Sequence, residues 1–87
     1  MDLSVEMWRE HPFKAGQSYI ANHSFTGFPN SEFIAGSSYT FLHAGYSRYD
    51  SATAFTFRSD NDGRLQHWFW YDSEPDQFCQ ERFRLGT

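Results

Sequence analysis

A seven-residue phrase occurs twice in this chain, and its spacing constrains the fold more than any other feature. Phe13-Lys14-Ala15-Gly16-Gln17-Ser18-Tyr19 returns twenty residues later as Phe33-Ile34-Ala35-Gly36-Ser37-Ser38-Tyr39, identical at five of seven positions, and the same offset relates His23 to His43. Twenty residues is too short for an ordinary helical repeat and suits one strand plus one connection. Each copy therefore reads as a turn at Gly16 or Gly36 feeding a strand, since glycine alone reaches positive φ without steric cost.

Hydrophobic alternation supports strands after both copies and beyond them. From Gln17 to Phe25, the residues Tyr19, Ala21, His23 and Phe25 share one face and Ser18, Asn22 and Ser24 the other, with Ile20 as the exception. Ser38 to Ala44 is partly apolar on both sides, Tyr39, Phe41 and His43 against Thr40 and Leu42, as expected of a central strand. Thr53 to Ser59 sets Phe55 and Phe57 against Thr56 and Arg58. Asp60-Asn61-Asp62-Gly63 is then the strongest turn signal in the chain, and Arg64 to Tyr71 returns as its hairpin partner. A type I turn with a glycine bulge pairs Asp60 with Arg64, which puts Phe57 opposite His67 and Phe55 opposite Phe69. The core face becomes Phe55, Phe57, Leu65, Phe69 and Tyr71, while Trp68 and Trp70 stand outside beside Arg58 and Gln66. Successive strand side chains point to opposite faces, so a loop one residue different swings both tryptophans inward.

At the N-terminus Ser4 is placed to cap a short helix through Val5, Met7 and Trp8, closed by Pro12. Near the C-terminus Ser73-Glu74-Pro75-Asp76 has the marks of a helix start, with Cys79 and Phe83 on its buried face. The competing reading, a final strand in which Glu81, Phe83 and Leu85 alternate, is preferred because Phe78 and Phe83 share no helical stripe. The expected fold is all-β: one domain spanning residues 1–87, a single antiparallel sheet of about five strands curled into a small, partly open barrel or roll, with the short N-terminal helix as an addition.

A domain of this size buries only about 60% of the surface its unfolded chain exposes, so its core must be dense. Ten Phe, five Tyr and three Trp meet that need. Cys79 is the only cysteine, which excludes an internal disulfide and a multi-cysteine zinc site and suits a reducing compartment. Residues 1–6 carry no basic stretch followed by an apolar one, and no window approaches the ~18 apolar residues of a membrane span. A cytoplasmic chain with no membrane partner is expected. The formal charge of −4, from seven Lys plus Arg against eleven Asp plus Glu, argues against nucleic acid as a partner.

Few motifs carry chemistry. His23, His43 and His67 lie on predicted strands, and neutral imidazole is a common ligand for zinc or iron, so a three-histidine metal or small-molecule site is one alternative; the ordinary alternative is three half-buried strand histidines. The Asp60–Gly63 stretch is not a calcium loop, because the first and last ligand positions would be Arg58 and Phe69. No nucleophile elbow, phosphate cradle or dinucleotide fingerprint is present, so neither an enzyme nor a cofactor is expected. Cys79 beside Phe78 reads as a small buried hydrophobe. What remains is aromatic: Trp68 and Trp70 on the outward face, and a connection from Gly45 to Ala52 that holds Tyr46, Arg48, Tyr49 and Asp50. Tyr, Trp and Arg dominate interface hot spots. The alternative is that Met7, Trp8 and Phe13 cover the tryptophans as a second core layer.

Gly16-Gln17-Ser18-Tyr19, Gly36-Ser37-Ser38-Tyr39-Thr40-Phe41-Leu42 and Tyr46-Ser47-Arg48-Tyr49-Asp50 together carry a resemblance over residues 13 to 71. The pattern resembles small, uncharacterised, aromatic-rich bacterial β domains, some of which accompany toxin systems as immunity proteins. The resemblance implies a compact protein that caps a partner, and it brings no catalytic residue with it. The function expected is thus a non-catalytic protein-binding module, in the form of an inhibitor or immunity protein, using Tyr46, Arg48, Tyr49, Asp50, Trp68 and Trp70. A histidine-based small-molecule or metal-binding barrel and a homodimerisation module are the alternatives.

Overall fold

The structure is a computed structural model that describes residues 10–27 and 30–86. In chain order the elements are β1 (Ser18–Ala21), β2 (Phe25–Thr26), β3 (Glu32–Phe33), β4 (Ser38–Ser47), β5 (Ala52–Ser59), β6 (Leu65–Tyr71), α1 (Phe78–Arg82) and β7 (Phe83–Leu85). Five of the strands form an antiparallel sheet in the order β6-β5-β4-β1-β7, and β2 pairs with β3 in a separate two-stranded sheet. The five-stranded sheet matches the sequence expectation, whereas the small second sheet does not appear in it. The expected N-terminal helix lies outside the described residues. Both C-terminal readings hold in part: α1 runs straight into β7, with Cys79 and Phe83 both buried.

The two copies of the repeated phrase face each other across a local two-fold axis. Tyr19 pairs directly with Tyr39, and Gly16 and Gly36 both sit at φ 84°. The Gly16 N–H donates to the Phe41 carbonyl at 2.8 Å, and the Gly36 N–H to the Ala21 carbonyl at 2.8 Å. Each tyrosine hydroxyl reaches back to latch its own turn, Tyr19 accepting from the Lys14 N–H at 2.9 Å and Tyr39 from the Ile34 N–H at 2.8 Å. Exchanging each residue with the one twenty positions away in the other copy maps one set of bonds onto the other. A Cβ at either glycine would meet nothing within 4 Å, so glycine is required there by its backbone angle and not by crowding.

The sheet is open but strongly curled. Laid flat, its outermost strands would lie four inter-strand steps apart, about 19 Å at the usual spacing. Yet Phe83 of β7 comes within 5.9 Å of Trp68 of β6, ring centre to ring centre, and stacks on Phe57 of the intervening β5 at 4.7 Å. Phe13 plugs the concave side, edge-on to Tyr19, Phe55, Phe57 and Phe83 at 5.0 to 5.6 Å. His11 packs beside it against Phe41 and Phe55, and burial pushes its imidazole below the ordinary pKa, in keeping with a neutral ring whose Nδ1 accepts from the Phe13 N–H at 3.2 Å. β6, the outermost strand on its side of the sheet, is partly covered. A Cβ at Gly27 would lie 1.9 Å from the His67 carbonyl oxygen, so only glycine brings the end of β2 this close. The Ser31 hydroxyl accepts from the His67 N–H at 2.9 Å, and the Gln66 side chain accepts from the Glu32 N–H at 3.0 Å. Capping of this kind blunts an edge that would otherwise recruit another strand.

The β5–β6 hairpin corrects the expected register. Ser59, not Asp60, pairs with Arg64, closing a longer loop through Ser59 N–H to Arg64 carbonyl at 2.8 Å. Phe57 consequently lies opposite Gln66, Phe55 opposite Trp68 and Thr53 opposite Trp70. Trp68 and Trp70 are core residues at 3% and 0% exposure, while Leu65 and Tyr71, assigned to the core by sequence, are 54% and 43% exposed. The cause is Asp60, which is recruited elsewhere: its N–H donates to the Ser38 carbonyl at 3.0 Å, and its carboxylate accepts from Ser38 at 2.5 Å and Thr40 at 2.7 Å. The Trp70 indole N–H donates to the Pro75 carbonyl at 3.3 Å, so the buried ring keeps a polar partner.

A second shift of parity occurs in β4. Phe41 pairs with Phe57 but His43 pairs with Thr56, leaving Leu42 as the extra residue of a β-bulge. Past the bulge His43 faces solvent, not the side it was expected to share with Tyr39 and Phe41, and Ala44 packs on the core in its place.

Candidate functional site

The residues singled out by sequence separate into a tip and a core. The connection between β4 and β5 is short, because β4 runs to Ser47 and β5 begins at Ala52, leaving only residues 48–51 as the turn. The expected connection from Gly45 to Ala52 is thereby shortened to these four residues. Ser51 takes φ 51° to close the turn, the Ser47 hydroxyl donates to the Asp50 carboxylate at 2.7 Å, and the Asp72 N–H donates to the Ser51 carbonyl at 2.8 Å. Arg48 and Asp50 are exposed and Tyr49 is fully so. Tyr46 is half-buried, its hydroxyl donating to the Asp72 carboxylate at 2.6 Å, so it braces the turn and does not project from it. Trp68 and Trp70 contribute nothing to this surface. In their place the hairpin register turns Tyr71 outward beside the tip, in the row Ser47–Ala52–Tyr71.

The three histidines are not brought together. His23 is exposed in the connection after β1. His43 and His67 flank Thr56 on the outer face of the sheet, and the His67 Nδ1 lies 3.1 Å from the Thr56 hydroxyl. Among the described residues no three His, Cys, Asp or Glu side chains converge as a metal-binding group.

Sequence reasoning passed over Arg82. Its guanidinium carbon lies 4.2 Å from the centre of the Phe25 ring, 4.6 Å from Phe78 and 5.2 Å from Trp68, three rings from three separate stretches of chain. The Nε atom is buried without a hydrogen-bond partner, and among the described residues the side chain forms no ion pair. Burial lowers its pKa from the ordinary guanidinium value, with Glu74, Cys79 and Glu81 pulling weakly the other way. A desolvated cation–π contact is worth about 2 kcal/mol, and an unmet buried donor costs about 1–3 kcal/mol. The two are of one order, so the rings hold the cation in place without satisfying its Nε–H.

Neighbouring side chains fix where Arg82 sits. The Asn22 amide donates to the carbonyls of Gln80 at 3.2 Å and Glu81 at 3.0 Å, and its N–H donates to the Arg82 carbonyl at 2.7 Å, capping the end of α1. Arg82 lines a cleft of about 240 Å³ together with Thr26, Gly27, Trp68, Phe69, Tyr71 and Glu74. The Glu74 carboxylate accepts from the Tyr71 N–H at 3.0 Å.

An open, curled antiparallel sheet with a short helix leading into its last strand defines the class of fold. No protein-family model matches the sequence, and no curated protein is detectably similar to it. Among solved structures the chain is similar to an integron cassette protein from the mobile metagenome of Vibrio cholerae. The TM-score is 0.67 at 22% identity, over 85% of this chain and 88% of that one. Likeness at this level establishes a shared fold. No helix among the described residues is long and apolar enough to cross a membrane.

Proposed function

We propose that this chain is a non-catalytic protein-binding module of bacterial origin, of the inhibitor or immunity type, acting in a reducing cytoplasm. Its contact surface is the β4–β5 tip, Arg48 and Tyr49, with the adjoining exposed face of Tyr71. The observation that carries this is Tyr49, an aromatic side chain left wholly in solvent on a turn that is closed by hydrogen bonds from both sides. Tyrosine gives large contact area at small conformational cost, and arginine beside it is the usual companion at hot spots. The resemblance to immunity-like domains supports a capping role, the Vibrio fold relative supports a bacterial origin, and the sealed Cys79 suits a compartment that keeps thiols reduced.

The test is a double substitution, Arg48→Ala with Tyr49→Ala, in which neither side chain supports the core. Its unfolding midpoint should match the parent to within about 0.5 kcal/mol, while a partner captured from bacterial lysate by the parent should be lost. Capture by the double variant at the parent's level would remove the tip from the contact surface.

A further inference from the structure

We propose that His11 is a proton-operated latch on the concave side of the sheet: as a neutral ring it ties residues 10–12 to the core, and on taking up a proton it swings into water and leaves parts of Phe41 and Phe55 uncovered. The latch lies beside the Phe13 plug and shares no residue with the β4–β5 tip, so either can fail without the other.

Three observations converge on it. Residues 10–12 belong to no strand or helix and, among the described residues, make no backbone–backbone hydrogen bond, so side chains tie them down. The ties are the His11 Nδ1, which accepts from the Phe13 N–H at 3.2 Å, and the Pro12 carbonyl, which accepts from the Tyr19 hydroxyl at 3.5 Å. Second, the half-buried imidazole meets the Phe41 and Phe55 rings edge-on at 5.5 and 5.2 Å, so it covers apolar surface. Third, the chain is pinned just beyond it. Phe13 is buried, and the Lys14 N–H is held by the Tyr19 hydroxyl at 2.9 Å, so a release upstream stops there.

Because Nδ1 accepts, the neutral ring carries its proton on Nε2. A second proton must go to Nδ1, where it would point at the Phe13 N–H, donor against donor, and would set a charge among apolar rings. Ring faces attract a cation but offer no lone pair to its N–H groups. Of the titratable groups around the ring, β4 turns Tyr39 and Tyr46 to this side and β5 turns none, β1 brings Tyr19, and Glu10 and Lys14 flank it on its own segment. None of these acts on the imidazole, which burial alone pushes below the ordinary 6.5. A folded pKa lower than the unfolded one gives stability that is complete above the unfolded value, and it drains away as pH falls through the folded one.

The experiment follows the unmodified protein by NMR from about pH 7.5 down to about pH 4.5, the range in which histidine charges. The His11 ring should titrate at lower pH than the same ring in protein unfolded by urea. Its contacts with Phe41 and Phe55 should fade along that titration, while the contact between Phe13 and Tyr19 persists. An apolar fluorescent dye should gain severalfold in emission over the same interval. His11→Asn keeps a side-chain acceptor for the N–H two residues on and cannot titrate here, so its dye emission should stay flat with pH from whatever level it starts. The proposal is overturned if His11 titrates at or above its value in urea, if it stays neutral throughout, or if its ring contacts survive charging. An equal rise of dye emission in the folded Asn variant overturns it too. So does loss of the Phe13–Tyr19 contact in step with those of His11, because acid would then be unfolding the whole domain. The NMR arm needs no variant, so misfolding of His11→Asn leaves the test intact.

Discussion

The two copies of the repeated phrase share their local geometry and differ in part of what surrounds it. Equivalent turn and latch hydrogen bonds agree within 0.1 Å, 2.9 against 2.8 Å for the tyrosine latch and 3.1 against 3.0 Å for the turn closed by Lys14 or Ile34. Their phenylalanines part company. Phe13 enters from a segment outside any strand and meets Phe41, Phe55 and Trp68. Phe33 belongs to β3 and stacks on Phe25 at 4.8 Å, while both phenylalanines of the repeat meet Phe57 and Phe83. Asp60 is also off the axis, 2.5 Å from the Ser38 hydroxyl but 3.5 Å from that of Ser18. Seven residues thus suffice to encode a glycine turn, a strand entry and a tyrosine latch, whereas the partners each ring meets are set by the rest of the chain.

Truncating the rings is the harshest test of this equivalence. Phe33→Ala and Phe13→Ala should each cost about 3–5 kcal/mol by urea unfolding, as expected for buried aromatic truncation; a cost under about 1 kcal/mol for Phe13 alone would show that only the second copy is structural. Next come Gly16→Ala and Gly36→Ala. Each should cost about 1–2 kcal/mol, since the added methyl meets open space and the left-handed backbone supplies the whole penalty. A clear inequality between them would mean the two turns are not equivalent in solution. The smallest effect concerns Asp60, whose carboxyl is held below its ordinary pKa of 3.8, first by the Ser38 hydroxyl and then by Thr40. A folded pKa below the unfolded one contributes stability that is complete above the unfolded value and fades as pH falls through the folded one. Thermal unfolding of the parent should therefore lose stability below about pH 4 more steeply than that of Asp60→Asn. Parallel acid profiles would mean that Asp60 does not tie the turn to the second copy.

Much of the sheet was readable from local signals. The repeat marked both glycine turns, and alternation or, for β4, a two-sided apolar run marked the five main strands, because those features depend on residues close in sequence. Parity was lost where a distant group intervened. Asp60 looks like a pairing residue until Ser38 and Thr40, some twenty residues upstream, take its N–H and carboxylate and lengthen the loop. The Leu42 bulge likewise turned His43 outward with no glycine or proline to announce it. Of the expected contact surface, Arg48, Tyr49 and Asp50 are exposed as foreseen, while the tryptophans exchanged places with Leu65 and Tyr71. Arg82 gave no signal, since its ring partners Phe25, Phe78 and Trp68 are gathered only by folding.

Enclosure of the indoles makes the molecule its own reporter. Trp68 and Trp70 are two of the chain's three tryptophans, and with both shut away from water, one tethered to Pro75, their native emission should lie at short wavelength and resist quenching by acrylamide. Loss of the hairpin register would move that emission to the red before any label was attached.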